Sequence, residues 1–298
     1  MTLADGAHRQ ISCAEEIALN PRNGPMTPAR IAAFIACGWL LMGCPARAQD
    51  NTERELEKYR QMMKEDPWSN PALLDADRGE DLWKAPRGPK NVSLEGCDLG
   101  KGPGKVEGAF AELPRHFADA GKVMDVEARI LWCMEKLQGF DRARLVERPH
   151  PSGGAPVKEI GAIATWVASR SHGLKFAAKF AHPKEKETLA MGEALFFRRQ
   201  GPMDFACATC HADSGKRIRL QPLPFLSKPA EAKAVVGDWP AYRVSSTHVM
   251  TMQHRIYDCF WQMRLPEAEL GSDVSVALIS YLVNKAGGGA INAPGMKR

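Results

Sequence analysis

A mostly α-helical chain of two similar halves is what this sequence predicts, and three observations carry the prediction. Apolar residues recur at helical spacing in KETLAMGEALFFRR and DVSVALISYLVNK, while strand signals are few and short. Segments repeat: Gly79-Glu80-Asp81-Leu82-Trp83 is echoed by Gly192-Glu193-Ala194-Leu195-Phe196, and Arg129-Ile130-x-x-Cys133 by Arg255-Ile256-x-x-Cys259. The third observation is Cys207-Ala208-Thr209-Cys210-His211, a CxxCH signature. A length of 298 residues suits two modest domains, and 44% hydrophobic with 25% charged residues is a globular composition. The net charge of +5 comes from scattered Lys and Arg, which argues against nucleic acid and for a small anion or an acidic partner.

Residues 1–25 are polar and patternless, and Met26 reads as the true initiator. After it come Arg30, an apolar run from Ile31 to Met42, and Ala46-Arg47-Ala48, the pattern of a secretory signal peptide cleaved after Ala48. Leu41-Met42-Gly43-Cys44 offers lipid attachment at Cys44 as an alternative, although Pro45 follows it. Twelve apolar residues are too few for a membrane span. Residues 1–48 are therefore expected to be leader and signal peptide, and the mature chain to lie in the periplasm.

Next comes NTERELEKYRQMMKED, a polar, partly helical lead-in to about residue 75. The first unit then runs to about 155, where ERPHPSGGAP marks a linker, and a helix around Ile160 to Ser171 introduces the second unit, 156–298. In that unit CxxCH reads as a haem attachment site: two thiols add to the haem vinyl groups, and His211 is placed to bind iron. Leu189, Ala190, Ala194, Leu195 and Phe196 form the expected apolar face upstream, and Val276, Ile279, Tyr281 and Leu282 that of a closing helix downstream. Both flanks suit a cytochrome c-like domain. At the matching place in the first half stands Cys97-Asp98-Leu99-Gly100-Lys101, with Gly for the second thiol and Lys for His, so the first domain is expected to lack haem.

Of eight cysteines, five follow Ala48: Cys97, Cys133, Cys207, Cys210 and Cys259. Cys97 and Cys133 hold the positions of a haem thiol and a distal ligand without a haem between them. They are expected to close as a disulfide, with two free thiols the alternative. Cys259 is left as the odd cysteine, at the position from which a distal ligand to the His211 iron comes. Met250, Met252 and Met263 remain alternatives for that ligand, and Cys259 is then a buried thiol. His248 and His254 read as packing or surface residues, and Trp239 and Tyr242 as groups that pack near haem or stiffen a loop.

With CxxCH in the second of two cytochrome c-like units, HRIYDCFWQMR (His254 to Arg264) and WPAYR (Trp239 to Arg243), the mature chain resembles the SoxA family, the larger subunit of the SoxAX thiosulfate-oxidising cytochrome. Gly100 and Lys101 depart from the members with two haems, so the resemblance implies the form with one covalent haem c and a Cys97–Cys133 disulfide. It further implies a persulfide at Cys259, which binds the haem iron opposite His211, and Arg255 beside it. The implied activity is that of an L-cysteine S-thiosulfotransferase, joining thiosulfate to a cysteine of a SoxYZ-like carrier. A SoxX-like small cytochrome completes the expected heterodimer. For Arg255 the residues alone leave a substrate contact and a structural salt bridge both open; a guanidinium four residues before Cys259 shares its helical face and suits a dianion.

Overall fold

The computed structural model describes residues 54–146, 159–218 and 221–298, apart from residues 56 and 64. The leader and the linker ERPHPSGGAP lie outside the described residues. Helix prevails, as expected, and the strands are two or three residues long. Residues 54–63, residue 56 excepted, are helical.

Two helix pairs form the frame. Helix α1 (Ala72–Lys84) starts where Asn70 Oδ1 accepts the Ala72 amide at 3.0 Å, and it packs along α4 (Glu159–Ser169). The closest approach is at Gly79, where a Cβ would overlap the Ala162 carbonyl oxygen. One turn on, Trp83 meets Trp166 with ring centroids 5.6 Å apart. Helices α5 (Pro183–Phe197) and α9 (Asp273–Lys285) repeat this crossing. Gly192 lies against the Ala277 carbonyl, and Phe196 meets Tyr281 at 4.8 Å. The echoed Gly-Glu-x-Leu-aromatic motif is thus a crossing device: Gly lets two backbones touch, and the aromatic fills the next turn. Helix α4 packs on α1 of the first half, whereas the sequence reading set it with the second unit. The buried stripe of α5 is Glu185, Gly192 and Phe196, centred on the crossing. Leu189 and Leu195 are partly buried, while Ala190 and Ala194 of the expected face are exposed.

Each half also contains a hairpin that feeds a helix. Strands β1 (Arg115–Phe117) and β2 (Lys122–Met124) pair antiparallel, Phe117 facing Lys122, and lead to α2 (Val126–Cys133). A helical turn α3 (Arg142–Val146) precedes α4. In the second half come α6 (Cys207–His211), the short pair β3 (Arg217–Ile218) and β4 (Gln221–Pro222), and α7 (Pro229–Val235). Strands β5 (Ala241–Arg243) and β6 (His248–Met250) then pair antiparallel, Arg243 facing His248, and lead to α8 (Met252–Gln262); β7 (Gly295–Lys297) adds to β5 in parallel. Asp125 caps α2 by accepting the Ala128 amide at 2.9 Å, and Thr251 caps α8 by accepting that of His254 at 3.1 Å. From Leu113 to Cys133 and from Trp239 to Cys259 the halves correspond without a gap, at a constant offset of 126 residues.

The caps of α2 and α8 meet in a buried polar cluster. Thr251 Oγ1 donates to Glu127 at 2.7 Å, the Gln253 amide donates to Glu127 at 3.2 Å, and Gln253 Nε2 donates to both Asp125 oxygens at 2.8 and 2.7 Å. The Gly271 amide completes it, donating to Gln253 Oε1 at 2.8 Å. Burial pushes the Asp125 carboxyl up despite these donors. Cys97 and Cys133 form a disulfide, Cα atoms 5.8 Å apart, inside the apolar cluster of the first half. No helix among the described residues is long and apolar enough to cross a membrane.

Candidate active site around Cys259

Helix α6 begins when the Ala206 amide donates to Thr209 Oγ1 at 2.9 Å, which turns Cys207, Cys210 and His211 through one tight helical stretch. His211 Nδ1 lies 2.9 Å from the Pro224 carbonyl oxygen. A carbonyl only accepts, so Nδ1 carries the proton and Nε2 keeps its lone pair for a metal. Burial, helped by the charge of Arg255, lowers the His211 pKa and favours the neutral, ligating imidazole. The Phe225 amide donates to Glu231 at 2.8 Å and steadies the loop behind His211.

Cys207, Cys210 and Cys259 are free and partly buried, and they influence one another. Burial, and then the nearness of Cys259, push the Cys207 thiol up to about 12. Burial also raises Cys259, while Arg255 opposes the rise. Three sulfurs and one imidazole thus share a single site, a donor set that fits covalent haem c: two thiols for attachment, Nε2 of His211 and the sulfur of Cys259 for iron. Of the alternative iron ligands, Met263 belongs to the apolar cluster against which Met252 and Cys207 also pack. Met250 joins Trp239 and Ala241 in a small apolar cluster, and Met263 packs with Ile256 and Phe260. His248 is buried, its Nδ1 2.7 Å from the Ser246 carbonyl, and its ring stacks on His254 at 5.9 Å between centroids.

Arg255 is held by an ion pair between its Nη1 and Asp258 Oδ2, and Gln262 Nε2 donates to the same oxygen at 3.2 Å. The salt bridge left open by the sequence is therefore present, and it orients the guanidinium within the site. Asp258 was missed by sequence reasoning, though its i,i+3 spacing from Arg255 was a readable signal. Arg243 was missed as well. It lies within electrostatic reach of Arg255, Asp258 and Cys259.

Crossed helix pairs and a CxxCH helix, with a further sulfur beside it, define the class: a c-type cytochrome domain. The SoxA/TsdA cytochrome c domain family matches residues 78–176. The L-cysteine S-thiosulfotransferase subunit SoxA of Hydrogenophilus thermoluteolus is 46% identical over 85% of this chain and 93% of its own length. A SoxA of Hydrogenobacter thermophilus is 35% identical over 83% of this chain and 92% of its own. The crystal structure of SoxXA from P. pantotrophus matches with a TM-score of 0.64 at 24% identity, covering 80% of this chain and 83% of that one. This chain belongs to the SoxA family, and its fold is cytochrome c-like.

Proposed function

We propose that this chain is the SoxA-like subunit of an L-cysteine S-thiosulfotransferase, working in the periplasm with a SoxX-like cytochrome on a SoxYZ-like carrier. It forms two tandem cytochrome c-like domains; the first is haemless and cross-linked by Cys97–Cys133, and the packing of α4 on α1 supports a boundary after α4 instead of at residue 155. One haem c would be held by Cys207 and Cys210, with His211 and Cys259 as the residues that would bind its iron. The observation that carries the reading is the grouping of Cys259 and Arg255 with the CxxCH residues.

In the reaction, the sulfane sulfur of thiosulfate and the carrier thiol form one S–S bond, the thiol proton is released, and two electrons leave. Haem, when bound, supplies the outlet for those electrons. Cys259 presents a sulfur able to exchange with the sulfane sulfur through a mixed intermediate. Arg255, fixed by Asp258, orients the oxyanion end by charge-assisted hydrogen bonds. The test is mass spectrometry of the carrier after incubation with thiosulfate, an electron acceptor and the haem-loaded chain with its small cytochrome subunit. The carrier cysteine gains one thiosulfate with wild type and none with Cys259→Ala. Equal coupling by both proteins removes Cys259 from the chemistry and leaves an electron carrier.

A further inference from the structure

The constant offset of 126 residues between the halves makes the haemless half an internal control for the active one. In the first half Arg129 is fully engaged. It is 2% exposed, donates to Asp98 O at 2.7 Å, and makes two parallel hydrogen bonds to Asp119 at 2.9 and 2.8 Å. Its guanidinium lies 4.1 Å from the ring centre of Phe117 and 4.4 Å from that of Trp132. The corresponding residues of the second half are Arg255 for Arg129, Arg243 for Phe117, Ser245 for Asp119 and Asp258 for Trp132.

The aromatic face has thus become a second guanidinium, and the bidentate carboxylate a neutral hydroxyl; Asp258 returns one negative charge. The balance of these exchanges is one added positive charge beside Cys259. Arg243 is poorly used inside the protein. Its Nε is buried without a hydrogen-bond partner, and Nη2 reaches Ser245 Oγ at 3.4 Å. A buried like-charge pair costs stability unless an anion completes it. Burial and the charge of Arg255 lower the Arg243 pKa to about 10, with Asp258 and Cys259 opposing the fall only in part. Ser245 is exposed at the tip of the β5–β6 hairpin, so the guanidinium runs from the buried site to the surface.

We propose that Arg243 is a second substrate-binding residue, pairing with Arg255 to hold the sulfonate oxygens of the thiosulfate dianion and directing its sulfane sulfur at Cys259. The inference rests on the proposed function and deepens it. Arg255, already matched by Asp258, orients the anion, and Arg243 supplies the charge that it neutralises.

The experiment is isothermal titration of thiosulfate into the haem-loaded chain with its small subunit, for wild type, Arg243→Gln, Arg243→Lys and Arg243→Phe, with thermal midpoint and haem midpoint potential measured alongside. Arg243→Gln and Arg243→Phe each weaken thiosulfate binding at least ten-fold, and Arg243→Lys, keeping charge without the fork, weakens it less. Arg243→Phe restores the ring that the first half uses, so it melts at or above wild type while losing affinity, which a structural role would not allow. Unchanged affinity in the Gln and Phe variants overturns the inference. A potential that shifts in thiosulfate-free protein, with affinity unchanged, also overturns it and assigns Arg243 to a haem carboxylate. Wild type that binds thiosulfate through Arg243 yet never modifies the carrier contradicts the proposed function and leaves this inference standing.

Discussion

Arg129 and Arg255 occupy one position of one repeated motif and do different work. Arg129 is saturated by Asp119, the Asp98 carbonyl and two rings, whereas Arg255 is tethered on one side by Asp258 and shares its surroundings with Cys259. Arg129→Gln is expected to lower the unfolding free energy by about 2–3 kcal/mol in denaturant titration, because a buried guanidinium loses its charge-assisted hydrogen bonds to Asp119 and the Asp98 carbonyl, while leaving the KM for thiosulfate in place. Arg255→Gln is expected to act on catalysis as well as on stability. Losing a charge-assisted hydrogen bond worth about 1.5–3 kcal/mol lowers kcat/KM for thiosulfate roughly 10- to 150-fold, and the thermal midpoint falls too, because buried Asp258 loses its ion-pair partner. Equal effects of the two substitutions on kcat/KM would remove the distinction between the halves.

At the scale of elements, the helix crossings depend on glycine. A Cβ at Gly79 or Gly192 would run into the backbone of the partner helix. Gly79→Ala and Gly192→Ala are therefore each expected to destabilise by about 1–3 kcal/mol or more, the range for overpacking, although alanine favours helix; a neutral or raised melting temperature contradicts the crossing geometry. In the first hairpin, the hydrogen bonds and charge of Arg129 hold the Asp119 carboxyl below its ordinary pKa. A depressed carboxylate stabilises the fold above its unfolded pKa of about 3.9, and the contribution is lost as pH falls through the lower folded value. The gap in thermal midpoint between wild type and Asp119→Asn should be steady near neutrality and close below about pH 4. A gap that widens in acid reverses the sign. Much at this scale was legible: GEDLW and GEALF, RILWC and RIYDC, and the closing helix all stood out because helical periodicity survives in single segments. The hairpins did not, since strands of three residues show no alternation, and they bring Phe117 to Arg129 and Arg243 toward Arg255. The exposed Ala190 and Ala194 on α5 illustrate a second limit, for Gly192 attracts no notice on a hydrophobicity pattern yet fixes the buried stripe.

For the whole molecule, the repeat is read most clearly where the two halves differ. Gly100 and Lys101 stand where the second half has Cys210 and His211, and the Cys97–Cys133 disulfide closes the first core. Replacing both with serine is expected to cost about 2–4 kcal/mol for a loop of 36 residues, measured as a drop in unfolding free energy; an unchanged value means the disulfide adds nothing to the core. The cysteine pairing was legible from the repeat, but the place of α4 was not, because its partner α1 lies more than 70 residues earlier. The polar cluster joining Asp125, Glu127, Thr251 and Gln253 was hidden for the same reason, and it ties the cap of the disulfide-bearing helix to the cap of the helix that carries Cys259. Carrier modification in a single turnover, with the haem-loaded chain and its small subunit, tests the central claim most directly. Wild type should place one thiosulfate on the carrier cysteine and release two electrons per adduct, while Cys259→Ala retains haem and forms no adduct. Adduct formation at the wild-type rate without Cys259 would contradict the account.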